Sequence, residues 1–302
     1  MRVFVYTCAA FTRTMKLAFE TGLTQKMGCP RPVPPDQPVG EPLPWPIADG
    51  TGHTVLLTYL EAKGDRTKLE TDIESGDANN DMTVVCGGLL TMQAANKKCT
   101  KPFLVVTDQI SPEFFTSHQF LGGIDLNTRG RAVAAHGFLV SHYEVDPRGV
   151  WLIWNQMGYT GGREKAEWKR RGWPDQSISS NDVTKIAPTF KLAKQGGATS
   201  VVLSADPFFT INMDAVIAAA NDTTGGQLYV CYPFTEYITD TNNTHQPAPD
   251  YSMIYGPDHG AAYEQVGGMV VGVVDALYWG FGPRFRHLNL SMPLKPPIYV
   301  TG

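Results

Sequence analysis

Short apolar runs recur along the chain and are separated by stretches with helical spacing. Residues 2–6, 55–59, 83–86 and 103–106 form a first series of such runs, and residues 150–154, 176–179, 201–203, 228–231 and 252–255 a second. Runs of this length, rich in β-branched residues and closed by glycine, proline or aspartate, predict strands buried on both faces. Between them the apolar positions fall three and four apart, as a helix with one buried face requires. Leu17 and Ala18 with Gly22-Leu23, Leu69 with Ile73, and Leu90 with Ala94 and Ala95 mark three such helices in the first series. The second series has helices over 129–143, 163–171, 182–195, with Val183, Ile186, Phe190 and Ala193 inward, and 213–220. A long helix over 261–278 turns Ala262, Val266, Met269, Val273 and Leu277 to one side.

Strand and helix alternate every 25–30 residues, which predicts parallel sheets with right-handed crossovers. The alternation breaks at 109–125, where residues 120–126 read as a short extended connection, so the chain divides into two α/β series. Residues 28–52 are crowded with prolines and can be neither helix nor central strand; they are expected to form a surface excursion or lid. The tail, 293–300, is extended.

Composition narrows the function. With 42% hydrophobic and 18% charged residues over 302 positions, the chain is globular and long enough for two domains. A net charge of −4 gives no electrostatic case for nucleic acid or an anionic membrane. The most apolar stretch, 266–279, is broken by Asp275 and three glycines, so no membrane insertion is expected. Five scattered cysteines without a CxxC pair predict no structural metal; Cys8, Cys86 and Cys231 lie in apolar runs and read as small buried hydrophobes. The N-terminus leads straight into the first strand without a secretory pattern, which fits either an intracellular chain or one whose signal has been removed.

Chemistry gathers at the carboxyl ends of the predicted strands, where open α/β sheets bind ligands. Thr7, Gly87-Gly88, Thr107-Asp108, Asn155-Gln156, Ser204, Asp206, Tyr232 to Glu236 and Tyr255-Gly256 stand there. Glycines admit an anion to backbone N–H groups, carboxylates suit an ammonium or hydroxyl, and the rings cover an apolar body. Asp206 before Pro207 equally fits a helix cap, and one of Phe208 and Phe209 belongs in the core. The run REKAEWKRR at 163–171 reads as a solvated helix face. No dinucleotide, P-loop, serine-elbow or HExxH pattern occurs; His259, near one strand end, reads as a cap or solvent-facing residue.

The segments VVLSADPFF (201–209), YPFTEY (232–237) and MIYGPD (253–258), with the helix bearing Tyr263, resemble type 1 periplasmic substrate-binding proteins of ABC importers. The branch they resemble handles tryptophan, tyrosine or related substrates. Phe19 with Gly22-Leu23, Gly64-Asp65, VVCGG (84–88), Lys101-Pro102 and GGIDLN (122–127) extend the likeness upstream. The chain departs from that pattern in the Ala205 that separates Ser204 from Asp206, in the longer 28–52 and 240–250 segments, and in a short tail.

The resemblance implies two doubly wound parallel-sheet lobes joined by three crossovers, 1–108 plus 256–285 and 109–255 plus 286–302, that close on a small ligand. It implies ligand contacts at Thr7, Gly88, Asp108, Asn155, Asp206, Tyr232, Glu236 and Tyr255. Thr7 and Gly88 would hold an anionic end, and Asp206 or Glu236 a cationic or hydroxyl end. It further implies an ABC permease as partner, a periplasmic location, no cofactor and no catalysis. Two alternatives stand beside it: an intracellular ligand sensor on the same fold, and an enzyme using Asp206, Glu236 or His259.

Overall fold

The computed structural model describes residues 1–7, 13–28, 45–48, 54–62, 65, 67–107, 110, 117, 119–126, 130–222, 224, 228–233, 252–256, 259–278, 288–291 and 298–300. The chain divides into two compact units, Met1–Leu126 with His259–Met292, and Asn127–Asp258 with Pro293–Gly302.

Unit one contains strands β1 (Arg2–Thr7), β2 (Trp45–Ala48), β3 (Thr54–Glu61), β4 (Met82–Cys86), β5 (Phe103–Thr107), β6 (Phe120–Asp125) and β12 (Leu288–Ser291). They form one sheet in the order β12-β6-β5-β4-β1-β3-β2. Every pairing is parallel except that of the edge strand β2 with β3. The central strands β4 and β5 are buried at every position, as their mainly apolar sequences, with one threonine each, require. On one face, α1 (Arg13–Met27) and α9 (His259–Tyr278) bring Phe19, Leu23, Val266 and Val270 onto Val3, Val5, Val84 and Leu104. On the other, α2 (Leu69–Asn79) and α3 (Leu89–Lys98) bring Ile73, Met92 and Ala95 onto Phe4, Tyr6 and Phe103.

Unit two contains β7 (Val150–Asn155), β8 (Asp175–Ile178), β9 (Ser200–Leu203), β10 (Tyr229–Tyr232), β11 (Ser252–Ile254) and β13 (Ile298–Val300) in the order β13-β11-β10-β9-β7-β8. All pairings are parallel except that of β13 with β11. Helices α4 (Arg131–Tyr143) and α5 (Tyr159–Lys169) supply Leu139 and Trp168 to one face. Helices α6 (Ile186–Gln195) and α8 (Met213–Asn221) supply Phe190 and Ile217 to the other. The short helix α7 (Pro207–Ile211) precedes α8.

Several expectations need correction. Residues 120–125 are not a connection: they form β6, paired with β5, so the first unit runs to Leu126 rather than to 108, and it takes back His259–Met292 rather than 256–285. Leu90 is 43% exposed, because α3 buries Thr91, Met92, Ala94 and Ala95 instead. Val183 is also 43% exposed: a separate 3-10 turn, Val183–Lys185, capped by Asp182, precedes α6 and breaks the helical phase. In α1 the buried stripe is Met15, Phe19 and Leu23, four apart, with Leu17 and Ala18 only half-buried. Within the proline-rich stretch, expected as a surface excursion, 45–48 is an edge strand, where Pro46 is tolerated, in keeping with its exclusion from helix and central strand; 29–44 and 49–52 lie outside the described residues.

Candidate functional site

Leaving out their edge additions, the two sheets share one order: β3-β1-β4-β5-β6 and β8-β7-β9-β10-β11. In each, the chain moves outward from the first strand and then crosses back. The connections therefore leave opposite faces at β1/β4 and at β7/β9. Such switch points open a crevice at the carboxyl ends of the strands. Thr7 and Gly88 stand at the first, Asn155 and Asp206 at the second. Tyr232 ends β10 and Tyr255 follows β11. Asp108 and Glu236 lie outside the described residues.

At the first switch point Thr7 is buried, and Gly87 turns the chain at φ 148°, a backbone value open chiefly to glycine. Gly88 is the half-exposed N-cap of α3 and brings no side-chain cap to the first N–H groups of that helix. A helix start of this kind favours negative charge nearby. The Cys86 thiol beside it is pushed up to about 12 by burial and is inert as a nucleophile.

A neighbouring cluster escaped the sequence reading. Glu61 pairs with Thr7 in register. Lys16, in the first turn of α1, lies 4.8 Å from the centroid of the Tyr59 ring, whose hydroxyl donates to Glu20 Oε1 at 3.0 Å. Burial pushes the Lys16 amine below its ordinary value against the pull of Glu61 and Glu20. Burial, with Glu20 beside it, pushes Tyr59 well above its own. Only the strand register, which brings Glu61 level with Thr7, could have pointed to this group.

At the second switch point Asn155 and Asp206 make hydrogen bonds within the unit. Asn155 is fully buried; its Nδ2 donates to Asn181 Oδ1 at 2.7 Å and its Oδ1 accepts from the Met157 N–H at 3.1 Å. The side chain thus ties the end of β7 to the loop after β8. Asp206 is fully buried as well, and Oδ1 accepts the Phe208 N–H at 2.9 Å, capping α7. Its Oδ2 lies against Gly158, the N-cap of α5, where an added Cβ would stand 1.3 Å away. One carboxyl group therefore sits between two helix N-termini, where negative charge is favoured. Phe208 and Phe209 are both buried, although only one was expected in the core. Tyr232 is fully buried, while Tyr255 is half-buried with its ring 6.3 Å from that of Phe138. His259, expected to be a cap or exposed, is buried as the first residue of α9.

The run 163–171 is not only a solvated face. Glu164 and Trp168, four residues apart, are fully buried under it. Glu164 Oε1 accepts from Arg131 Nε at 2.9 Å, with both side chains fully buried, and its Oε2 accepts the Ala205 N–H at 2.7 Å. Arg131 Nη1 donates to the Tyr255 carbonyl at 3.0 Å, and Nη2 donates to the Leu203 carbonyl. No local pattern distinguishes these two charges from their exposed neighbours, so the sequence carries no sign of the pairing.

Among the described residues, no three His, Cys, Asp or Glu side chains are grouped to hold a metal ion, and no helix is long and apolar enough to cross a membrane. No family model and no curated protein matches the sequence. Solved structures do match the fold. A Streptococcus pneumonia ABC domain in complex with L-Trp aligns over 99% of this chain and 91% of its own, with TM-score 0.65 and 11% identity. A conserved domain protein of Vibrio cholerae O1 biovar El Tor aligns over 97% and 90%, with TM-score 0.63 and 13% identity. A LacI family transcriptional regulator from Arthrobacter sp. FB24 aligns over 100% and 99%, with TM-score 0.58 and 11% identity. Two parallel sheets of shared strand order, flanked by helices, are the type 1 periplasmic-binding-protein-like α/β fold, and this chain has it.

Proposed function

We propose that the chain is a non-catalytic binding protein that takes a small, polar or aromatic, amino-acid-like molecule at the carboxyl edges of its sheets and presents it to an ABC permease. The observation that carries this reading is the pair of switch points, each supplied with polar side chains, glycine and helix N-termini. Gly88, with the start of α3, holds an anionic end, assisted by Thr7. Asp206 or Glu236 takes the cationic or hydroxyl end, and Asp108, Asn155, Tyr232 and Tyr255 complete the contacts. The streptococcal neighbour bound to L-Trp favours an amino-acid-like ligand. Such a protein works in the periplasm. The Arthrobacter regulator favours a second reading, a ligand sensor on the same fold that signals to a partner protein.

A thermal-shift screen with L-tryptophan, L-tyrosine, L-phenylalanine, ribose, lactose and adenosine tests it. An aromatic amino acid at about 100 times its Kd is expected to add about 2.7 kcal/mol of stability by linkage, a shift of several degrees. A shift with lactose or ribose alone would replace the amino-acid reading with the sugar-sensor one. No shift with any of the six would remove the amino-acid assignment.

A further inference from the structure

The chain enters unit two between Leu126 and Asn127 and leaves it for α9 between Asp258 and His259. Arg131, the first residue of α4, stands just inside the entry; Tyr255 stands just before the exit. The guanidinium of Arg131 joins these two places to the ligand-bearing edge. It donates to the carbonyl of Tyr255 at the exit, to the carbonyl of Leu203 at the end of β9, and to Glu164, which in turn receives the N–H of Ala205. Ala205 is the residue directly before Asp206. The exit is closely packed too: an added Cβ on Gly256 would lie 1.8 Å from the Pro233 carbonyl oxygen and 3.6 Å from Arg131 Cδ.

We propose that Arg131 and Glu164 are a positioning pair that locks the Ser204–Asp206 edge of unit two to the places where the chain enters and leaves that unit. The arrangement accounts for a cost that the fold alone does not require. Two charges removed from water are expensive to hold, and an apolar pair of similar volume would pack α4 against α5 as well or better. What the ion pair supplies, and an apolar pair cannot, is a set of directed bonds. Three backbone groups in two segments, 203–205 and 255, are held in one geometry by a planar, five-donor side chain and its carboxylate. A ligand that shifts Ala205 and Asp206 therefore pulls on the crossover segments, and a change in their direction alters the edge. The inference deepens the ligand-binding reading and rests on it for its purpose, but its structural content is tested without ligand.

Amide hydrogen exchange of the ligand-free protein is followed at Ala205, at Tyr255, and at Leu152 and Val202 in the sheet core, for Glu164→Gln. Of the pair, Glu164 accepts the Ala205 N–H, whereas Arg131 donates to the Tyr255 carbonyl, so exchange at Tyr255, whose own N–H donates to the Tyr232 carbonyl, reads the loosening of that segment. The expected result is exchange faster by about tenfold at both Ala205 and Tyr255, with Leu152 and Val202 unchanged. Acceleration confined to Ala205, none at either position, or a uniform rise including Leu152 and Val202 would overturn the proposal, the last marking a merely structural pair. Should Glu164→Gln fail to fold, Arg131→Met combined with Glu164→Leu replaces the pair by apolar groups of similar size, a change that buried pairs often tolerate. The same joint acceleration is then expected at a melting temperature near that of the parent, and retained protection at both amides would overturn it. Because no ligand enters these measurements, their failure is distinct from a failure of the ligand screen.

Discussion

Gly158 stands where any side chain would displace Asp206. Its backbone, at φ −89° and ψ 129°, is open to every residue, so the only demand for glycine is the carboxyl oxygen 1.3 Å from a would-be Cβ. Gly158→Ala is therefore expected to cost about 1–3 kcal/mol, read from the urea midpoint, and to do so by moving Asp206 off two helix ends at once. The capping half of this arrangement was legible, since Asp206-Pro207 spells a helix start. The other half was not, because Gly158 and Asp206 meet only across the β7/β9 switch point. The Arg131–Glu164 pair was hidden for the same reason: a charge paired in space looks, along the chain, like a charge paired with water.

His136 carries a pH dependence. Its ring stacks on Trp173 at 3.5 Å between centroids and meets Trp168 edge-on at 5.3 Å, while Nε2 lies 3.3 Å from the Pro147 carbonyl. Burial pushes its pKa below the ordinary 6.5, partly countered by the Pro147 carbonyl, with Arg171 adding to the depression. The unfolded chain then takes up the proton first as pH falls. The stability owed to the neutral ring is complete above about 6.5 and drains away as pH drops through the lower, folded value. Replacing the ring by His136→Phe is expected to flatten that acid-side decline in melting temperature, while a variant that declines as steeply as the parent would assign the slope to other groups.

Between elements, α1 packs backbone to backbone on α9. A Cβ on Gly22 would lie 1.8 Å from the Glu264 carbonyl oxygen, and one on Gly267 would lie 2.1 Å from that of Phe19. The obstacle in both cases is backbone, which cannot rotate aside. Alanine is worth about 1 kcal/mol more than glycine inside a helix, yet forcing two backbones apart costs about 1–3 kcal/mol. Gly267→Ala is accordingly expected to lower the urea midpoint despite its better helix propensity. Helix and strand identities were readable at this scale because strands buried on both faces leave mainly apolar runs, as in β4, β5 and β9. Phase was harder to read. The 3-10 turn at Val183–Lys185 rotates the helix that follows, and Leu90 sits one position off the buried face of α3. β6 was missed because FLGGID holds two glycines, one of which, Gly123, presses so close to Val105 that a Cβ would lie 2.3 Å from its side chain. A strand whose glycines serve close packing has the composition of a loop.

Across the whole molecule, each unit has its own cores and its own buried thiol. Cys86 in unit one and Cys231 in unit two are both pushed up to about 12 by burial, and Cys99 likewise. None of the three is expected to react with iodoacetamide at pH near 8 while its unit is folded. Under rising urea, Cys86 and Cys231 become separate reporters of their units, and we expect them to react at different urea concentrations; a shared midpoint would mean that the units unfold as one. The two-fold construction was visible as two series of strand–helix units, whereas the seam at Leu126 depended on a pairing, β5 with β6, that no local spacing encodes.

Pro46 gives the outermost strand of unit one a further property. A strand at the rim of a sheet normally offers neighbouring molecules a free row of donors and acceptors, and proteins that live at high concentration must blunt it. β2 is four residues long and, among the described residues, pairs with β3 alone, antiparallel to it, and its second position has no N–H to give. A second copy of the chain arriving side-on would find too short a ladder with a missing rung, so sheet-to-sheet polymerisation is resisted at this rim by covalent structure itself, whatever the salt or pH.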